Sequence, residues 1–261
     1  MRVREKKPVA VGDQPAAPVM SRPVGKHVTA MGLAFANRLG LAAGFDRTGE
    51  LLPSLRAVGF GHVEVGTITP ATGHARALRQ SDVRVRIGLN FGSARHGLDD
   101  GVMEDYTTAM KQVFGVSDYL VANLSAPLLR RDGNTPGVET LVKRLSVTRD
   151  VLSAVSGCRK PLLLKLEAGA DGKTFPAAIM AARVCGLDGV VLVSDCLARI
   201  RAISTYLSGL AVISVGGIRS ADQVRSRIAA GATLVQVHSA FANGGAARIR
   251  RILKELTPPL E

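Results

Sequence analysis

The 261-residue sequence contains no tryptophan, and aromatic residues make up only 4% of it. Its core must therefore be filled by Val, Leu, Ile and Ala, the usual filling of a parallel barrel. Cysteine is nearly as scarce. Cys158, Cys185 and Cys196 are too few and too widely spaced for a disulfide framework or a zinc site, and a reducing cytoplasm suits them best. No apolar run approaches the length of a membrane span. The five histidines, His27, His62, His74, His96 and His238, show no metal-ligand spacing and no serine-triad order, so no metal is expected. Acidic residues are in deficit as well: 21 Asp and Glu face 34 Lys and Arg, a formal charge of +13. Such a surface draws phosphates, carboxylates or an anionic membrane. The charge is scattered without aromatic interleaving, which argues against nucleic acid.

What the sequence does have is a regular alternation. Met1 to Lys26 is basic and Pro-rich without an apolar centre, and residues 1–28 read as a flexible arm. From there to residue 261 the chain reads as one domain. Short, near-continuously apolar runs recur at Leu39–Phe45, His62–Thr69, Tyr119–Ala126, Pro161–Ala168, Gly189–Cys196, Ala211–Ile218 and Leu234–Phe241, as strands buried on both faces should. Helical patterns lie between most of them, at Thr48–Val58, Asp99–Phe114, Val138–Val155, Phe175–Val184, Ala198–Leu207, Ser220–Ala230 and Ala246–Leu256. Ser220 suits an N-cap, and Gly186 and Gly231 suit the residues that follow helix ends. The fold class is α/β, a TIM (β/α)8-type barrel. Seven clear strands are one short of eight. The alternating segment Val83–Asn90 is an eighth candidate with no convincing helix before it. The expectation is a barrel that is irregular, or lacks one βα unit near its third strand.

Active sites of such barrels lie where the strands end. The strand-end residues are Ala43 and Gly44, Thr67, Asn123 to Ser125, Lys165, Ser194, Gly216 and Gly217, and His238 and Ser239. Gly216-Gly217 admits a phosphate close to the backbone, and His238-Ser239 leads through Gly244-Gly245 into a helix whose N–H groups favour anions. Two tight turns with no ligand would look the same. Lys165 emerges from the apolar run PLLLKLEA, suited to stabilising an anionic cofactor or a reduced flavin, or else snorkelling to the rim. Glu167, two residues on, shares its face and is a candidate ion-pair partner. Asn90 and Asn123 each offer a donor and an acceptor to a pyrimidine or flavin edge.

Those strand ends carry recognisable text. AAGFD-x-x-GE followed by GF-x-x-x-EVGT-x-TP (within Thr29–Pro70), then RIGLN, ANLSAP, NTPG, LLKL, SVGGI and AGATLVQVHSAF, resemble the quinone-dependent, class 2 dihydroorotate dehydrogenases over nearly all of the chain from Thr29. The resemblance implies an FMN-dependent oxidoreductase of pyrimidine biosynthesis that passes hydride from dihydroorotate to flavin. It implies that Ala43 and Gly44 pack on the flavin and that Thr67 and Asn123 hydrogen-bond it. Lys165 and Ser194 lie beside the ring, and Gly216, Gly217, His238 and Ser239 hold the phosphate. Arg47, Asn90, Asn123 and Ser194 face a small anionic substrate.

The sequence also departs from the family. Where the family places its catalytic serine, N-x-S-S-P-N-T, this chain reads Asn123-Leu124-Ser125-Ala126-Pro127, and the methyl group of Ala126 cannot take a proton. Lys165, Ser125 and Arg47 remain as candidate catalytic groups, with Ser125 on the opposite strand face from position 126. Arg47 replaces a substrate lysine. Ser194 replaces a substrate asparagine, with Asp195 beside it. The third-strand text G-x-N-x-G-K-N is expected to be missing. Three readings follow: an FMN oxidoreductase with this or another substrate; an inactive member acting as a binding protein, as a homodimer or with a partner subunit covering an open strand edge; or a barrel that binds a different phosphorylated ligand.

Overall fold

The computed structural model describes residues 27–72, 85–125, 135–170 and 172–257. The arm assigned to residues 1–28 lies almost wholly outside these, and Val28 already stands in the first strand. The elements in chain order are β1 (Val28–Ala30), β2 (Leu33–Phe35), β3 (Leu39–Leu41), α1 (Leu52–Arg56), β4 (His62–Ile68), β5 (Arg86–Phe91), α2 (Asp100–Phe114), β6 (Tyr119–Asn123), α3 (Thr135–Ser156), β7 (Leu162–Glu167), α4 (Ala177–Val184), β8 (Gly189–Val193), α5 (Leu197–Tyr206), β9 (Ala211–Val215), α6 (Ala221–Ala229), β10 (Leu234–Val237) and α7 (Ser239–Leu256).

β3 to β10 close into an eight-stranded barrel in which β10 bonds back to β3, and every pairing in it is parallel. This corrects the expectation of a missing unit. The alternating segment is the third barrel strand, β5, and α2 follows it. The barrel presents no open edge, so a partner chain is not needed to cover one. The strand that closes the barrel at this place carries the RIGLN text (Arg86–Asn90); the sequence G-x-N-x-G-K-N itself does not occur, since Gly88-Leu89-Asn90-Phe91-Gly92 runs on into Ser93-Ala94.

β5 alternates because its two faces meet different surroundings. Ile87, Leu89 and Phe91 pack outward in the core shared with the helices, where the Phe91 and Tyr106 rings lie 6.2 Å apart. Gly88 and Asn90 have the opposite parity and face the barrel axis. A second apolar cluster fills the axis itself: Ala42, Tyr119, Val121, Leu163, Val191, Ile213 and Leu234, with Phe35 from the β1–β2 hairpin. Phe35 meets the His62 ring edge-on at 5.7 Å, so the hairpin stoppers the N-terminal end of the barrel. The axis is tight enough to exclude side chains. A Cβ on Gly40 would fall 2.2 Å from His62 Nε2, and one on Gly88 would fall 2.3 Å from the Tyr119 ring.

The caps follow the sequence. The Ser220 hydroxyl accepts from the Gln223 N–H at the start of α6. Gly186 and Gly231 follow α4 and α6 with φ of 63° and 101°. α7 is broken at Gly245 (φ 58°), so its main length begins at Ala246, where the sequence places a helix.

His62 is fully buried, neither ring nitrogen has a hydrogen-bond partner among the described groups, and burial pushes its pKa down to about 3. The unfolded chain therefore binds a proton that the fold refuses between about pH 6.5 and pH 3. Stability from this residue is complete above pH 6.5 and falls by about 1.4 kcal/mol per pH unit below it. Urea unfolding at pH 7 and pH 5 should show a loss of about 2 kcal/mol that His62→Gln removes.

Candidate active site

The carboxyl-terminal mouth of the barrel is assembled from strand ends that are tied to one another. On the first loop the buried carboxylate of Asp46 accepts from the N–H groups of Thr48, Gly49 and Leu51. Gly44 N–H donates to Gly66 O, and Gly66 N–H donates to Asp46 O. The AAGFD segment is thereby locked to the end of β4. Ala43 and Gly44 face the mouth, and a Cβ on Gly44 would lie 3.6 Å from His238 Nε2. That places the last strand end beside the first.

Next comes a relay of amides and hydroxyls. Asn123 Nδ2 donates to Thr67 Oγ1 at 2.9 Å, and Thr67 Oγ1 donates to Asn90 Oδ1 at 2.8 Å. Ser125 donates through both its hydroxyl (2.7 Å) and its N–H (3.0 Å) to Asn123 Oδ1. The ends of β4, β5 and β6 are thus joined by side chains. Below them the Tyr106 hydroxyl donates to Asn123 O at 2.5 Å. Three residues expected at the site, Thr67, Asn90 and Asn123, are brought together, and Ser125 is drawn into the same network. Ala126, Pro127 and Asn134 lie outside the described residues.

Lys165 reaches inward from β7, 9% exposed. The carboxylate that comes to it is Glu64, whose Oε2 lies 3.9 Å from Lys165 Nζ, whereas the expected candidate Glu167 is exposed at the strand end. Glu64 is fully buried, and its Oε1 accepts from Gln236 Nε2 at 2.5 Å. Burial raises the Glu64 pKa, opposed by Lys165, Gln236, Asn90 and the Ala43 N–H. The same Lys165 charge reaches His238. That imidazole's pKa is lowered first by burial and then by Lys165, which puts both groups at one mouth.

On the far side, Gly216 and Gly217 (φ 120° and 69°) turn the chain where a side chain would crowd the neighbouring strand end. A Cβ on Gly216 would lie 3.1 Å from Ser194 O. The Ser194 hydroxyl is turned to its own loop, where it accepts from Cys196 N–H. Ser239 opens α7 after the exposed His238. Arg47 is exposed on the Asp46 loop and shares no described hydrogen bond with the other site residues.

Two residues escaped the sequence reading. Glu64 sits within the quoted EVGT text, and its inward parity with His62 was the available signal. The other is Arg227. It reads as a solvated helix position but is buried, donating to Ser194 O (2.5 Å) and Gly216 O (3.0 Å). It clamps the ends of β8 and β9 from behind. Its pKa is lowered by burial, against Asp195 and Cys196. Arg227→Ala leaves two carbonyls without their donor and should lower the unfolding free energy by about 2–3 kcal/mol in a denaturant titration.

Comparison with known proteins shows which family and fold the chain resembles. A family model described as dihydroorotate dehydrogenase matches residues 173–260. The dihydroorotate dehydrogenase (quinone) of Leifsonia xyli subsp. xyli is 33% identical over 296 positions, covering 88% of this chain and 84% of the relative. That of Thermus thermophilus is 30% identical over 294 positions, covering 90% and 83%. Each alignment is longer than this chain, so the relatives carry segments that it lacks. Among solved structures, the Eimeria tenella DHODH in complex with ferulenol has the same fold, with a TM-score of 0.78 at 21% identity over 93% of this chain and 86% of that one.

Proposed function

Since the chain belongs to the dihydroorotate dehydrogenase family, we propose that it is an FMN-dependent oxidoreductase that oxidises dihydroorotate, or a close anionic relative of it, in pyrimidine biosynthesis. The observation that carries this reading is the Thr67–Asn90–Asn123 relay and Lys165 at the same barrel mouth as the Gly216-Gly217 turn. The residues present fit FMN. Gly44 and Gly216 leave room that a Cβ would fill, the relay offers donors and acceptors to a polar ring edge, and Lys165 supplies a cation. Ala43, Gly44, Thr67, Asn123, Lys165 and Ser194 would hold the ring. Gly216, Gly217, His238 and Ser239 would hold the phosphate.

When bound, FMN supplies a two-electron acceptor for hydride. The chain's own groups do the rest. Lys165 opposes the negative charge that grows beside it. Asn90 and Asn123 orient the substrate, and Arg47 offers its guanidinium to a substrate carboxylate. The step served least is proton removal, because Ala126 stands at the family's base position. Ser125, whose hydroxyl is held by Asn123 Oδ1, or water is left to take the proton. Losing a positioned base costs roughly 10²–10⁴-fold in rate.

Among the described residues no helix is long and apolar enough to cross a membrane. The reading places the protein in the cytoplasm, with its basic surface available to an anionic membrane and no nucleic-acid partner. Ala126 and the added Asp195 also favour a second reading, a member that keeps the cofactor without turnover.

The visible spectrum of protein purified without added cofactor should show flavin bands near equal stoichiometry. Their absence, with no thermal shift on adding FMN, would sink the oxidoreductase reading. Under anaerobic conditions dihydroorotate should bleach the bands slowly, and Ala126→Ser should speed the bleaching by ~10²-fold or more. Bands that dihydroorotate never bleaches, even in Ala126→Ser, would establish the second reading.

A further inference from the structure

Glu64 stands on the inward face of β4 with no exposure to solvent. Its Oε1 accepts from Gln236, and its Oε2 has no hydrogen-bond partner among the described groups. Oε2 lies 3.9 Å from Lys165 Nζ, within ion-pair range but too long for a hydrogen bond.

The groups that face this carboxyl come from every neighbouring strand: Lys165 on β7, Tyr119 on β6, Asn90 on β5, Gln236 on β10 and the Ala43 N–H after β3. His62 precedes it on its own strand. Of these only Lys165 is charged at neutral pH. The His62 imidazole is neutral above about pH 3, and burial holds the Tyr119 hydroxyl protonated. One carboxyl and one ammonium thus face each other; the further ionisable groups coupled to this set among the described residues are Asp118, which acts on Tyr119, and His238, which meets the Lys165 charge at the mouth. Lys165 keeps 11% of its side chain exposed, against none for Glu64, so the ammonium lies on the mouth side of the pair and the carboxyl lies behind it.

We infer that Glu64 is a positioning residue whose charge sets how much of the Lys165 positive charge is felt in the cofactor pocket, and so sets the reduction potential of bound FMN. This rests on the FMN reading. An ionised Glu64 makes the pair nearly neutral as seen from the mouth, whereas a protonated Glu64 leaves a full positive charge there. Charges a few ångströms apart in a poorly polarisable interior couple strongly. Burial raises the carboxyl's pKa, so the exchange between the two states moves toward neutral pH. Below it the pocket favours the reduced, more negative cofactor, and above it that preference fades.

The test is the midpoint potential of the FMN-loaded protein, measured from pH 5.5 to 9 for the natural sequence, Glu64→Gln, Lys165→Met and the double variant. Glu64→Gln should raise the potential at pH 9, with the ratio of reduced to oxidised cofactor at a fixed potential up by ~10-fold. The two curves should converge as the pH falls and the native carboxyl takes its proton. In the Lys165→Met background Glu64→Gln should change little up to about pH 7, because an uncompensated buried carboxyl is still protonated there. Superimposable curves at every pH, or an offset that does not vary with pH, would overturn the inference. Should Glu64→Gln not fold, the natural protein still decides. A steeper fall of its potential with pH than in Lys165→Met supports the inference, and parallel slopes overturn it. Failure of the underlying reading looks different, since the natural protein would then retain no flavin.

Discussion

Closure of the barrel is the constraint from which the rest follows. Eight parallel strands bonded on both sides send alternate side chains into a space that has no exit except its mouth. Whatever enters that space must fit and must have its charge and hydrogen bonds answered from within. At the floor the fit is steric. His62 and Tyr119 fill the axis because Gly40 and Gly88 give way to them, and Phe35 stoppers the hairpin end. One layer up the problem is electrostatic, and the solution is Glu64 with Gln236 on one side and Lys165 on the other.

This layering explains why the functional groups occur where they do. The floor is packed with rings and aliphatics and is chemically inert: the one titratable base there, His62, is held neutral. The polar middle layer is the first depth at which a charge can be kept. The mouth holds the groups that are still free to bind. The relay from Ser125 through Asn123 and Thr67 to Asn90 spans three strand ends, so a ligand touching one amide meets a set already oriented by the others. Arg227 does the equivalent work on the opposite wall, from behind the Gly216 turn. Preorganisation of this kind is what a site needs if binding is not to be spent on ordering its own side chains.

Much of this was legible in the sequence, and the omissions have physical reasons. Strands buried on both faces announce themselves as unbroken apolar runs, and β4, β6, β7, β8, β9 and β10 lie where those runs are. β5 was harder to read because its inward face carries Gly88 and Asn90, so a barrel strand takes on the alternation of a half-solvated one. The miscount of strands, and the open edge inferred from it, came from that alternation together with the lack of a convincing helical pattern between Thr69 and Val83. The β1–β2 hairpin was invisible because three-residue strands are too short to show a period. Site residues at strand ends were readable because topology fixes where they point. Arg227 was not, since an arginine on a helix gives the same sequence signal whether it is solvated or buried against two carbonyls. The base position, Ala126, lies outside the described residues.

The contrast between the positions that resemblance assigns to a cofactor and those it assigns to a substrate bears on the proposed function. Thr67, Asn123, Lys165 and the paired glycines are retained and structurally engaged. The changes fall on Arg47 and Ala126, which resemblance assigns to the substrate and its proton, and on Ser194, which it assigns to ring and substrate both, with Asp195 beside it. An exposed Arg47 keeps a positive charge for an anion, while Asp195 brings a negative one next to Ser194. These changes leave the barrel's closure, the relay and the Glu64–Lys165 pair untouched. A chain that had ceased to bind anything would be under no constraint to keep a carboxylate and an ammonium 3.9 Å apart in its interior, since an apolar pair of similar volume is often as stable or more so. Keeping that pair has a physical rationale if something at the mouth uses the lysine's charge.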